Sequence, residues 1–138
     1  SRGLGDVYKR QAFAVGAEGI QMGTRFVSSK ESPVHDNFKN YIFDSPLNGT
    51  WILNKTSKPV IRALRTDFTK EILDAGEMDM TAMGKIQDLY FGGDMNAAPA
   101  LSGQSVGLID GIKSAEEIIQ DTIKEFNEAC SKLGALKL

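Results

Sequence analysis

The residues best suited to chemistry in this chain are Gly23 and Thr24, inside the run G-A-E-G-I-Q-M-G-T-R-F from Gly16 to Phe26. Gly19 to Met22 reads as a short strand, and the sequence turns polar at Ser28-Ser29-Lys30-Glu31 just beyond it. A strand that ends in Gly-Thr offers bare backbone N–H groups and one hydroxyl where an anion can sit. Gly23 has no Cβ, so an anion can come close to the main chain. The chemistry on offer is recognition of a phosphate-like group, with an ordinary strand-to-loop turn as the plainer alternative.

Other reactive side chains offer less. Arg25 invites a role in holding phosphate, but a lone basic residue in such a motif suits a surface salt bridge equally well. His35 is the only histidine. It falls in the first turn of an expected helix, where a structural or solvent-facing role fits better than general-base work. Cys130 is the only cysteine, which excludes an internal disulfide and a cysteine-based metal cluster. It lies on an apolar helical stripe and reads as a small buried hydrophobe. Asp94, Asp110 and Asp121 lack metal-ligand spacing, so no metal is expected.

Elements must hold these residues in place. Ala12 to Ala17 reads as the last turn of a helix closed by Gly16, and with the strand Gly19–Met22 it makes an αβ unit. Ser32 as N-cap and Pro33 as first residue start a helix that buries Val34, Phe38, Tyr41 and Ile42, and Asp44-Ser45-Pro46 stops it. Thr50–Leu53 and Val60–Leu64 are β-prone on either side of a polar stretch and suggest a hairpin. Thr66–Ala75 reads as a helix ended by Gly76, and Thr81–Tyr90 as another stopped by Gly92-Gly93. From Ala98 to Ile109 the chain is small and apolar. Gly103 and Gly107, four residues apart, allow close approach to a neighbouring element or a ligand. The last helix is the clearest: Ser114 and Glu117 form a capping box, and Ala115, Ile118, Ile119, Ile123, Phe126, Cys130 and Leu133 form a stripe that should dock on a core.

Composition narrows the classes further. The chain has 138 residues, 41% hydrophobic and 25% charged, which fits one ordinary globular domain or part of a larger one. A net charge of −2 with scattered basic residues argues against a nucleic-acid or anionic membrane surface. No apolar run reaches the ~18–20 residues that span a bilayer, and a cytoplasmic protein is expected. Residues 1–11, S-R-G-L-G-D-V-Y-K-R-Q, show neither periodicity nor a signal-peptide layout. They resemble an adapter tail left on an assembled environmental sequence, so the native domain is expected over 12–138 with its N-terminal part missing.

Three stretches carry a family resemblance: G-A-E-G-I-Q-M-G-T-R-F with S-S-K-E-S-P-V-H-D-N-F-K after it, then K-P-V-I-R-A-L-R-T-D-F-T, then S-G-Q-S-V-G-L-I. In this order they resemble the C-terminal part of the FMN-dependent nitronate monooxygenases, formerly called 2-nitropropane dioxygenases. The related FMN-dependent enoyl-acyl-carrier-protein reductases look similar here. The resemblance implies an α/β fold: the C-terminal portion of a TIM (β/α)8 barrel, with a mainly helical insertion and a closing C-terminal helix. It implies that Gln21, Met22, Gly23 and Thr24 contact the FMN phosphate at the end of the eighth strand. It also places Ser102, Gly103 and Gln104 near the flavin, where tight packing of small residues is the alternative. The histidine such enzymes use near the flavin lies upstream of this segment, so no catalytic residue is assigned. The implied activity is oxidation of a nitronate with O2. The pattern Lys30-Glu31-Ser32, His35, Asn37-Phe38-Lys39 fits the reductase branch, in which NAD(P)H reduces an enoyl thioester through FMN. A third expectation is that the chain alone, with one barrel strand, neither holds FMN tightly nor turns over. A homodimer is the assembly expected of the full-length parent.

Overall fold

The computed structural model describes residues 16–135. The expected helix end at Ala12–Ala17 therefore lies mostly outside the described residues, as does the expected tail at 1–11. Gly16 itself has φ +95°, in the left-handed region that favours glycine.

The chain is mixed α/β and builds outward from a hairpin. Strands β1 (Thr50–Leu53) and β2 (Ile61–Leu64) pair antiparallel, with Thr50 opposite Leu64 and Leu53 opposite Ile61. Alternation sends Leu53 and Ala63 to one face and Leu64 to the other. The hairpin thereby serves two hydrophobic clusters. Leu53 and Ala63 meet Ile72 and Met78 in one, whereas Leu64 joins Phe38, Ile42, Leu89, Ala100 and Val106 in the other. Asn54 closes the turn at φ +59°. Its buried carboxamide donates to the Pro59 carbonyl at 2.9 Å and accepts from Ser57 and from the Met78 amide.

A short helix α1 (Thr24–Val27) precedes helix α2 (Asp36–Asp44). The expected strand at Gly19–Met22 does not form, and the segment leads directly into α1. A strand is defined by its ladder partner, and none for 19–22 stands among the described residues. Helix α2 also starts later than Ser32-Pro33 implies. The His35 amide donates to Tyr90 O at 2.7 Å, which holds His35 extended at ψ 144° and makes it the N-cap. Ser45, extended before Pro46, ends the helix as expected.

Helix α3 (Asp67–Ala75) follows β2 almost at once. Thr66 and Thr69 form a reciprocal capping box, and Gly76 at φ +80° closes the helix. The expected helix over Thr81–Tyr90 divides into a 3₁₀ stretch, Met80–Lys85, and helix α4, Ile86–Tyr90. A second 3₁₀ turn spans Val106–Leu108. Helix α5 (Ala115–Gly134) is the longest and carries the expected Ser114–Glu117 box.

Helix α5 departs from the sequence reading in what covers it. Ile118 and Ala129 are buried, but Ile119, Ile123 and Leu133 are 46%, 50% and 62% exposed. Cys130 is exposed too, not buried as its place on the stripe suggests. Gly134 lies in the last turn, and Ala135 is the C-cap. Apolar periodicity tells which face of a helix seeks burial, but the cover must come from elsewhere in the molecule. Here α5 docks by the edge of its stripe and leaves the middle open.

Candidate functional site

The Gly23-Thr24 turn begins α1. The Gly23 carbonyl accepts from the amides of Phe26 at 2.9 Å and Val27 at 3.0 Å, closing the turn from below. The amides of Gly23, Thr24 and Arg25 have no acceptor among the described residues. A Cβ built on Gly23 would meet nothing within 4 Å, so the space before these amides is open.

The structure brings the two expected binding segments together. Thr24 Oγ1 accepts from the Gly103 amide at 2.8 Å, across 79 residues of sequence. Behind this contact the chain from Ala100 to Ser102 lies along β2. Leu64 N–H donates to Ala100 O at 2.8 Å, and Ser102 N–H donates to Arg62 O at 3.2 Å. Ala63 and Leu101 form an antiparallel bridge between these bonds. The Tyr90 hydroxyl hydrogen-bonds the Leu101 backbone, and burial raises its pKa above that of a free phenol. The hairpin thus acts as the rail that carries Gly103 to Thr24.

Among the remaining expected residues, Ser102 is 9% exposed, while Gln21 and Gln104 face solvent and Met22 is half-buried. The two glycines of the small-residue stretch serve different neighbours. Gly107 lies against main chain, because its Cβ would stand 2.4 Å from Leu47 N and from the Pro46 carbonyl. A Cβ on Gly103 would stand 3.4 Å from Thr24 Oγ1. Packing is the role of Gly107, and joining the two segments is that of Gly103.

Polar side chains brace the turn from its far side. Arg25 donates to Gly111 O at 2.6 Å and lies 3.7 Å from the Asp110 carboxylate, which makes it a tie to the loop before α5. Glu31 accepts from the Ala115 amide at 2.9 Å, and Lys30 pairs with Glu117 at 3.1 Å. The Ser114 amide, with Lys30 beside it, holds the Glu117 carboxyl down to about 2. Lys113 pairs with Asp121 at 2.8 Å, which raises the lysine pKa and lowers that of the acid. Nothing in the sequence marks Lys30 and Glu31 as partners of α5, since the contacts span 87 and 84 residues.

His35 is occupied structurally. Its Nδ1 accepts from the Asn37 amide at 3.1 Å, and a Cβ on Gly93 would stand 2.4 Å from that nitrogen. Among the described residues no group of His, Cys, Asp or Glu is placed to hold a metal ion. No helix among them is long and apolar enough to cross a membrane. Two concavities lie elsewhere. One of about 490 Å³ stands between α2 and Arg65, and a shallow one of about 660 Å³ lies along α5.

Backbone donors and one hydroxyl meet at this turn. Among the described residues, three successive amides lack acceptors, an unsubstituted Cα faces open space, and the Thr24 hydroxyl has a proton to donate while its oxygen accepts. The chain is 26% identical to a Rhodococcus jostii protein named (3aS,4S,5R,7aS)-5-hydroxy-7a-methyl-1-oxo-octahydro-1H-indene-4-carboxyl-CoA dehydrogenase, over 91% of this chain and 48% of that one. It is 27% identical to a probable nitronate monooxygenase of Staphylococcus saprophyticus, over 88% of this chain and 36% of that one. FabK from Thermotoga maritima superposes with a TM-score of 0.84 at 37% identity, covering 91% of this chain and 42% of FabK. Its M276A mutant gives 0.78 at 39% identity, covering 90% and 39%. The chain thus spans less than half the length of each of these relatives. The family model described as nitronate monooxygenase matches residues 5–125. With most of its length inside that match, the chain belongs to the nitronate monooxygenase family of oxidoreductases.

Proposed function

We propose that this chain is the C-terminal part of an FMN-dependent oxidoreductase built on a TIM barrel, with its native domain over 12–138. In this reading the turn Gln21-Met22-Gly23-Thr24 holds the FMN phosphate, and Ser102-Gly103-Gln104 lies beside it. The observation that carries the reading is the hydrogen bond from the Gly103 amide to Thr24 Oγ1. Two segments that the family resemblance assigns to one ligand are in contact, although 79 residues separate them.

Bound flavin would supply the electron transfer between substrate and O2, while the protein supplies binding and orientation. The Gly23, Thr24 and Arg25 amides would donate hydrogen bonds to the phosphate, and so would the Thr24 hydroxyl. The Arg25 guanidinium stays with Asp110 and Gly111 and takes no part. His35 caps α2 through Nδ1 and is given no part in the chemistry.

The substrate of the leading reading is an alkyl nitronate, oxidised with O2. A second reading has a specific observation in its favour: the FabK structures share 37% and 39% identity with this chain, against 27% for the probable nitronate monooxygenase. There the substrate is an enoyl thioester and NAD(P)H is the reductant. The full-length protein, purified with its flavin, separates the two. Nitronate-dependent O2 uptake supports the first, and NAD(P)H-driven enoyl reduction without nitronate turnover replaces it with the second. A colourless protein that takes up no FMN refutes both.

A further inference from the structure

We propose that Thr24 is a positioning residue whose hydroxyl couples occupancy of the Gly23-Thr24 turn to the placement of the Ser102–Gln104 segment and of the hairpin behind it. The proposal rests on the phosphate-binding reading above and adds a linkage to it. Among the described residues, the bond from the Gly103 amide to Thr24 Oγ1 is the one hydrogen bond between the turn and this segment. The other ties from this part of the chain go to α5 and the loop before it, through Arg25 to Gly111, Lys30 to Lys113 and Glu117, and Glu31 to Ala115.

A hydroxyl has one proton and two acceptor lone pairs. Thr24 spends a lone pair on Gly103, so its proton remains for an anion in the turn. Donating that proton polarises the oxygen and makes it a better acceptor, as in any hydrogen-bond chain. An anion in the turn therefore tightens the hold on Gly103. By reciprocity, a segment already held against Thr24 favours the anion. The hold passes onward, because Ser102 N–H is bonded to Arg62 O on β2 and Arg62 Nη1 donates to Thr50 Oγ1 on β1 at 3.0 Å. The Gly103 amide is exposed, so this bond is what shields it from exchange.

The test uses the full-length protein that contains this chain, freed of flavin, and its Thr24→Ser, Thr24→Val and Thr24→Ala variants, followed by amide NMR. Serine keeps the acceptor, and the other two remove it. Without ligand, the Gly103 amide should exchange about fivefold faster or more in the Val and Ala variants than in wild type, with serine restoring protection. The Lys30 amide, bonded to Lys113 O at 3.0 Å, should be unaffected and reports that the fold is intact. FMN and inorganic phosphate are then titrated separately. The Gly23–Arg25 amides should shift in every variant with either ligand, and with inorganic phosphate Gly103 should shift and gain protection only where residue 24 has a hydroxyl. Equal Gly103 protection in all four proteins overturns the coupling. So does a Gly103 response to inorganic phosphate in the Val variant, or a response at Gly23–Arg25 with none at Gly103 in wild type. If FMN and phosphate leave the wild-type Gly23–Arg25 amides unmoved, the phosphate reading fails and takes the occupancy link with it, while the ligand-free exchange series still decides whether Thr24 holds Gly103.

Discussion

A pair of glycine-to-alanine substitutions separates ligand space from packing space. At Gly23 a Cβ meets nothing within 4 Å, and φ is −95°, which alanine adopts freely. Gly23→Ala should leave stability unchanged or raise it by up to about 1 kcal/mol through lost unfolded-chain entropy. At Gly107 a Cβ falls 2.4 Å from Leu47 N and from Pro46 C and O. These are main-chain atoms with no side-chain torsion to turn them aside, so Gly107→Ala should cost about 3 kcal/mol, the upper end of ordinary overpacking. With a urea dependence of about 2 kcal/mol per molar, that moves the unfolding midpoint down by about 1.5 M. Trp51, the single tryptophan, packs against the Leu53–Ile72 cluster, and its fluorescence with helical circular dichroism follows the transition. FMN affinity of the full-length protein supplies the contrast. A methyl on Gly23 stands where a phosphate must approach the amides, and losing one charge-assisted hydrogen bond of about 1.5–3 kcal/mol lowers affinity by roughly 10- to 100-fold. If Gly23→Ala binds FMN as tightly as wild type, the turn is not the phosphate contact. If it destabilises as Gly107→Ala does, the space before the turn is not open.

Thr69 is fully buried, and its Oγ1 accepts from the Thr66 amide at 2.8 Å and donates to Leu64 O at 2.6 Å. Thr69→Val should therefore lose about 2 kcal/mol and Thr69→Ser about 1 kcal/mol in urea unfolding, and the reverse order would disprove the role of the hydroxyl. His35→Ala removes the N-cap of α2 and should cost about 1 kcal/mol, whereas His35→Asn, which can cap, should recover most of it in the same assay. Glu117 titrates at about 2 in the folded chain against 4.5 for a free carboxyl, so its charged form favours folding. That contribution is complete above pH ~4.5 and is lost as the pH falls towards 2. Acid titrations followed by helical circular dichroism should show wild type losing more stability across that window than Glu117→Gln, and parallel curves would exclude the Glu117 clamp.

Legibility followed the range of the interactions. The Ser114–Glu117 box, the end of α3 at Gly76 and the hairpin all stood in the sequence, because caps, turns and alternation act within a few residues. The start of α2 did not. Ser32-Pro33 is a sound local signal, but the bond from the His35 amide to Tyr90 O holds that residue extended and delays the helix. The strand at Gly19–Met22 failed for the same kind of reason, since pairing is a property of two segments and the pattern describes one.

Sequence alone determined that Gly23-Thr24 could receive an anion, because backbone donors and a missing Cβ are properties of residue type. It also marked Ser102-Gly103-Gln104 and the apolar stripe of the last helix. Tertiary structure decided that Thr24 and Gly103 touch, that Gly107 packs against Pro46 and that His35 is spent on a cap. It left Ile119, Ile123, Cys130 and Leu133 exposed, where the stripe alone predicted burial. Residue type and spacing set what each segment can bond to or bury. Which partner it meets depends on how distant parts of the chain are folded together, and the contact between Thr24 and Gly103 across 79 residues has no local signature.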